Sequence, residues 1–166
     1  NALGCGFNRS LDLSKLRYHK IVLLMDADSD GHHISTLLLT FFYRYMKPLI
    51  DEGYIYLAQP PLYKVEHQKK LYWVADDHEK FKLVSKLSKK GGKIELQRFK
   101  GLGEMMPKIL YDTTLNPSKR RLLQIRIDQE DRHSTETTIS NLMGKDASER
   151  YKFVVQNALT VQDLDI

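Results

Sequence analysis

The chain has one cysteine in 166 residues, Cys5, so neither an internal disulfide nor a cysteine-only zinc site can form within it. Long apolar runs are missing as well. The richest stretch, in the 30s and 40s, is interrupted by Arg44 and Lys47, which excludes an ordinary membrane span. The opening residues Asn1-Ala2-Leu3-Gly4-Cys5-Gly6 show no basic region before an apolar core, so no secretory leader is expected. With no initiator methionine either, the sequence reads as a segment of a longer chain. Internal repeats and low-complexity tracts are absent, which sets aside solenoids and biased linkers.

What remains is a globular composition, 42% hydrophobic and 28% charged, which argues against disorder. The length suits one compact domain or a pair of small ones. The net charge of +5 is unevenly spread. Residues 1–63 hold six basic and six acidic side chains, residues 64–126 hold 16 against 7, and residues 127–166 hold 4 against 8. A basic middle segment points to a polyanion, with nucleic acid the leading candidate, and is equally the pattern of a solvated lysine-rich surface.

Ile21-Val22-Leu23-Leu24-Met25 is a continuous apolar run that fits a strand buried on both faces, as in a parallel sheet covered by helices. From about His32 to Asp51 apolar residues recur at spacings of three and four, predicting a helix with a kink at Pro48 and a stop at Gly53. Tyr54–Ala58 then reads as a second strand, completing a βαβ unit. Beyond a boundary near residue 65 the character changes. A hairpin is expected around Gln68-Lys69-Lys70, a helix over Asp77–Lys90, strands at Ile94–Phe99 and Arg121–Ile127, and a short helix near Pro107. Two closing helices are expected at about Thr135–Met143 and Ala147–Asn157. The aromatic residues Phe41, Phe42, Tyr43 and Tyr45 have the spacing of core side chains on a largely buried helix, and make poor base-stacking platforms.

Asp26, Asp28 and Asp30 alternate directly after the first strand. In extended backbone Asp26 and Asp28 point the same way, into the crevice beyond the strand's carboxyl end where open α/β sheets bind ligands. Carboxylates so close repel unless a cation sits among them. Hard oxygen donors without cysteine or histidine at zinc spacing select Mg²⁺ or Mn²⁺. The Asp-x-Asp-x-Asp-Gly string also opens a calcium EF-hand loop, but a strand precedes it here and the twelfth position is Leu37. A haloacid-type phosphatase would want Thr or Val where Asp30 stands. The remaining alternative is a solvated turn in which Asp28 or Asp30 caps the following helix.

The stretch from Met25 to Ile34, followed by Thr36 to Arg44, resembles the Toprim acidic motif of type IIA topoisomerases. The likeness runs on through Ala58-Gln59-Pro60-Pro61-Leu62-Tyr63-Lys64-Val65, Gln97–Met105 and Thr113-Thr114-Leu115-Asn116-Pro117. It extends through Arg150–Ala158 to Asp163-Leu164-Asp165-Ile166, so it covers essentially the whole chain. These segments are similar to the B subunits of bacterial gyrase and topoisomerase IV. The Asp28-Ser29-Asp30 spelling is nearer the second and the Leu164-Asp165-Ile166 ending nearer the first, so both stay open.

The resemblance implies an α/β fold: part of a Toprim domain over residues 1–65, Rossmann-like with flanking helices, and a smaller α+β tail over residues 66–166. It implies a protein that breaks, passes and rejoins duplex DNA with a tyrosine-bearing A subunit in an A2B2 heterotetramer, in the bacterial cytoplasm at the nucleoid. Asp26 and Asp28 would be catalytic, holding Mg²⁺ (or Mn²⁺ or Ca²⁺ in its place) with Asp30 nearby, and His33, Lys100 and Arg150 would contact DNA. His33 taken alone reads first as a partly solvated first-turn helix residue, ahead of a DNA contact. ATP would be handled by a separate amino-terminal domain, which nothing here resembles. Lys100-Gly101-Leu102-Gly103 lacks the ending of a nucleotide P-loop and is expected to support the site. The family's first metal ligand, a Glu in a Glu-Gly-Asp-Ser-Ala stretch, has no counterpart here. Weak Mg²⁺ binding and no DNA cleavage are therefore expected of this chain alone. Two rivals remain: a non-catalytic DNA-binding module built on the basic middle, and another Toprim enzyme, a nuclease or primase.

Overall fold

A computed structural model describes residues 1–128 and 130–158. The Asp163–Ile166 ending lies outside the described residues. The chain forms two compact units: residues 20–35 with 55–124, and residues 1–19, 36–54 and 125–166.

In the first of these, β1 (Ile21–Leu23) pairs in parallel with β2 (Ile55–Ala58), in the register Ile21 to Ile55 through Leu23 to Leu57. On the far side of β2 lies β6 (Leu122–Gln124), antiparallel, with Leu57 opposite Leu123. The expected βαβ unit is present, in a mixed three-stranded sheet of order β1-β2-β6. β1 is shorter and less buried than its apolar run predicts. Only Leu23 is buried, because β1 has a strand partner on one side alone among the described residues.

A second three-stranded sheet, all antiparallel, has the order β4-β3-β5: Lys70–Val74, Tyr63–His67 and Ile94–Arg98. Burial alternates along β3, with Tyr63, Val65 and His67 facing inward, as a one-sided sheet requires. Tyr63, Val65, Val74 and Leu87 form its core, flanked by Leu62, Tyr72, Leu83 and Ile94. The hairpin turns through Gln68 and Lys69 alone, with φ of 50° and 64°, the mirror-image turn that matches strand twist. The buried His67 satisfies its Nε2 against the Gly91 carbonyl at 2.8 Å.

The Leu87-bearing helix α3 (Asp77–Ser88) begins at Asp76, whose carboxylate accepts the Glu79 N–H at 2.7 Å. Glu79 in turn accepts the Ala75 N–H and pairs with Arg121 at 2.7 Å, tying the start of α3 to the residue before β6. That guanidinium holds the Glu79 carboxyl below its ordinary range. A short helix, α4 (Pro107–Leu110), precedes a π-type turn over Tyr111–Leu115.

Helix α1 spans Ser29–Tyr45 and α2 Lys47–Asp51. The break at Met46 follows from Pro48, which lacks an N–H and is tolerated only in the first turn of a new helix. Gly53, at φ 74°, closes α2 with its N–H on the Ile50 carbonyl. In the unit that contains residues 36–54, Met46, Leu49 and Ile50 are buried, and the amino-terminal segment folds around Cys5. Helices α5 (Arg132–Met143) and α6 (Ser148–Asn157) complete that unit. Tyr43 donates to Glu136 Oε2 at 2.6 Å, fastening α5 to α1, and the carboxylate it faces pushes the phenol up to about 12.

One expectation is corrected. Phe42 and Tyr43 are buried, but Ile34, Leu37, Leu38, Phe41 and Tyr45 stand between 37% and 49% exposed. Periodicity marks an apolar face without specifying what covers it, and α1 is buried on one side only.

Candidate functional site

Strand β1 ends at Leu23 and the chain bends at Ala27 and Asp28 before α1 begins. Asp28 is the cap of that helix. Its Oδ1 accepts the Gly31 N–H at 2.7 Å while its carbonyl accepts from His32 at 3.0 Å. Helix α1 therefore starts three residues before His32, where the apolar periodicity places it. The capping alternative for Asp28 is realised in the structure and leaves the second carboxylate oxygen without a hydrogen bond among the described residues. The positive end of the helix offsets part of the carboxylate repulsion at the same time.

Gly31 is obligatory for this geometry. A Cβ there would fall 2.0 Å from the Asp26 carbonyl oxygen, so the helix can pass beneath the end of β1 only without a side chain.

Asp26 stands on the wall of a cleft of about 210 Å³ beyond the carboxyl ends of β1 and β2, the place where open α/β sheets take ligands. Gln59 and Pro60 after β2, His32 on α1, and Ala75 and Asp76 before α3 share the wall. Asp26 Oδ1 accepts the backbone N–H of Leu102 at 2.7 Å. Its Oδ2 has no hydrogen bond among the described residues.

Asp30 lies exposed in the first turn of α1, and His33 is exposed on the next. Among the described residues no three acidic, histidine or cysteine side chains converge closely enough to hold a metal. The donors do fit a hard cation in part. Asp26 and Asp28 each keep one carboxylate oxygen free, are fixed by a backbone N–H through the other, and sit at a helix amino terminus beside a cleft.

Lys100 is exposed, and its own N–H is held by Glu104 Oε2 at 3.0 Å. Arg150 is half-buried and belongs to the other unit. Its Nη1 donates to the Gly144 carbonyl at 2.6 Å and to Leu142 at 3.4 Å, capping the carboxyl end of α5. The contact that composition could not reveal is that of Gly101 and Leu102 with Asp26. Its sequence signal is the Lys100-Gly101-Leu102-Gly103 turn, which lacks a P-loop ending and is expected to support the site without specifying the contact. Among the described residues, no helix is long and apolar enough to cross a membrane.

The Toprim domain family matches residues 2–60, which contain the acidic loop, and the family "DNA gyrase B subunit, carboxyl terminus" matches residues 91–155. The chain is 48% identical over 166 residues to the DNA gyrase B subunit of Metamycoplasma hominis, covering 100% of this chain and 25% of that protein. Against the DNA gyrase B subunit of Borreliella burgdorferi identity is 46%, covering 99% of this chain and 26% of the relative. The B subunit of DNA topoisomerase 4 from Rickettsia prowazekii is 46% identical over 163 residues, 98% of this chain and 24% of its own length. The chain thus spans about a quarter of these relatives. Two family matches in sequence order, one of them holding the acidic loop, and relatives of this similarity along the whole chain place it in the B-subunit family of DNA gyrase and topoisomerase IV.

Proposed function

We propose that this chain is the metal- and DNA-binding part of an ATP-dependent type II DNA topoisomerase. The intact protein would break, pass and rejoin duplex DNA with a tyrosine-bearing A subunit, as an A2B2 heterotetramer in the cytoplasm at the nucleoid. Residues 1–65 would be its share of the Toprim domain and residues 66–166 the tail that follows. The observation that carries this reading is the pair Asp26 and Asp28 at the carboxyl end of β1, each restrained by a backbone N–H and each with one oxygen free.

Asp26 and Asp28 would hold Mg²⁺, with Mn²⁺ or Ca²⁺ able to replace it and Asp30 reaching it through water. When bound, the ion would neutralise the scissile phosphate and the leaving 3′ oxygen. His33 and Lys100, both exposed, would hold the DNA backbone near the acidic loop, and Arg150, in the other unit, would contact it as well. The basic middle segment would raise the local concentration of the polyanion. ATP hydrolysis would belong to another domain of the intact protein.

Asp26→Asn and Asp28→Asn in the intact B subunit, assayed with its A partner, test the reading. Loss of cleavage with DNA binding retained supports it. Unchanged cleavage in both variants defeats it in favour of a DNA-binding module without catalysis.

A further inference from the structure

We infer that the loop between Phe99 and Met105 positions Asp26, with Gly101 and the Leu102 amide as the working parts. This rests on the role proposed above for Asp26. Three observations carry it. The Leu102 N–H grips Oδ1 at 2.7 Å. Gly101 lies flat against the carboxylate: a Cβ there would come within 3.2 Å of Oδ2, 3.3 Å of Cγ and 3.4 Å of Oδ1. Its backbone is extended, at φ −151°, so a side chain there would meet no backbone strain and would instead press on the Asp26 carboxylate, which would have to shift by a few tenths of an ångström.

The loop is anchored at both ends. Phe99 and Met105, its two ends, are buried, and Phe99 stacks on Trp73 with ring centroids 6.2 Å apart. The Phe99 N–H bonds the Leu62 carbonyl at 2.9 Å, and Glu104 Oε2 closes the loop on the Lys100 N–H. One amide therefore fixes the torsion of Asp26 while the absent side chain of Gly101 leaves Oδ2 unobstructed. A carboxylate free to rotate would have to be ordered each time a cation bound. One held through a single oxygen presents the other already aimed. Gly103, two residues on, has open space where a methyl would go, with no atom within 4 Å, and serves as the matched control.

The test uses the intact B subunit with its A partner. Gly101→Ala, Gly103→Ala and Asp26→Asn are compared with the parent for Mg²⁺ dependence of DNA cleavage. Amide hydrogen exchange over residues 99–105 is measured separately on metal-free protein carrying Asp26→Ala. Gly101→Ala is expected to raise the half-saturating Mg²⁺ concentration about tenfold with DNA affinity unchanged, while Gly103→Ala follows the parent. In the metal-free protein, Asp26→Ala is expected to speed exchange of the Leu102 amide about tenfold or more. A Mg²⁺ requirement in Gly101→Ala equal to the parent's, with Asp26→Asn inactive, overturns the positioning role and leaves the function standing. So does a Leu102 amide indifferent to Asp26→Ala, which decides the matter even if Gly101→Ala fails to assemble. Cleavage that survives Asp26→Asn overturns the function itself, and the inference falls with it.

Discussion

The Leu102 amide donates to Asp26 Oδ1 across 76 positions of sequence, joining the glycine-rich loop before Met105 to the acidic loop that follows β1. The candidate site is consequently made of two stretches that no local pattern connects, and the carboxylates of Asp26 and Asp28 are each held by a backbone N–H. Side-chain substitutions can therefore separate chemistry from folding.

Asp28 offers the cleanest separation. Asn caps a helix nearly as well as Asp, so Asp28→Asn should keep stability within a few tenths of a kcal/mol while abolishing cleavage by the holoenzyme, whereas Asp28→Ala should lose about 1 kcal/mol as well. Thermal unfolding beside a cleavage assay checks both, and equal stability losses in the two variants would contradict the capping geometry.

Gly31→Ala should be among the most damaging single changes. The new methyl would meet the Asp26 carbonyl, a backbone atom that cannot swing aside, and a cost of about 2–4 kcal/mol is expected. Denaturant unfolding measures it; a loss below about 1 kcal/mol would show that the end of β1 yields more readily than the geometry implies.

The Gln68-Lys69 turn is carried by two residues in the left-handed region, where side chains other than those of Asn and Gly are disfavoured. Replacing them with Asn-Gly should stabilise the hairpin by about 1 kcal/mol, read as slower amide exchange along β3 and β4. Exchange that is unchanged or faster would refute this.

Tyr43 couples α1 to α5 through its neutral hydroxyl. Its folded pKa is raised to about 12 from 10.0, so the folded state retains a proton that the unfolded state has released. The stability it contributes is whole below pH 10 and is lost as pH rises toward 12. Tyrosinate absorbance should show a late-titrating group that Glu136→Gln moves earlier, and Tyr43→Phe should remove this part of the alkaline destabilisation.

Arg150 holds the end of α5, so Arg150→Ala should fray that helix at a cost of about 1 kcal/mol, seen as faster exchange near Met143, before any effect on DNA is considered. A variant with full stability and weakened DNA binding would assign the guanidinium to the nucleic acid alone.

Local chemistry was enough to place much of this protein. The five-residue apolar run, the three-four spacing after it and the Pro48 and Gly53 punctuation determined a βαβ unit, because strand and helix periods differ and the breakers act on their own backbone. The alternating aspartates at the strand end singled out the acidic loop between β1 and α1. Tertiary structure decided the rest. Whether Ile34, Leu37 and Phe41 are covered depends on what lies against α1, and periodicity along one helix carries no record of that. That Arg150 caps a helix depends on the corner between α5 and α6. The hold on Asp26 comes from a backbone amide, which every residue except proline possesses and which no sequence pattern can single out. Only folding brings that amide within 2.7 Å of the carboxylate.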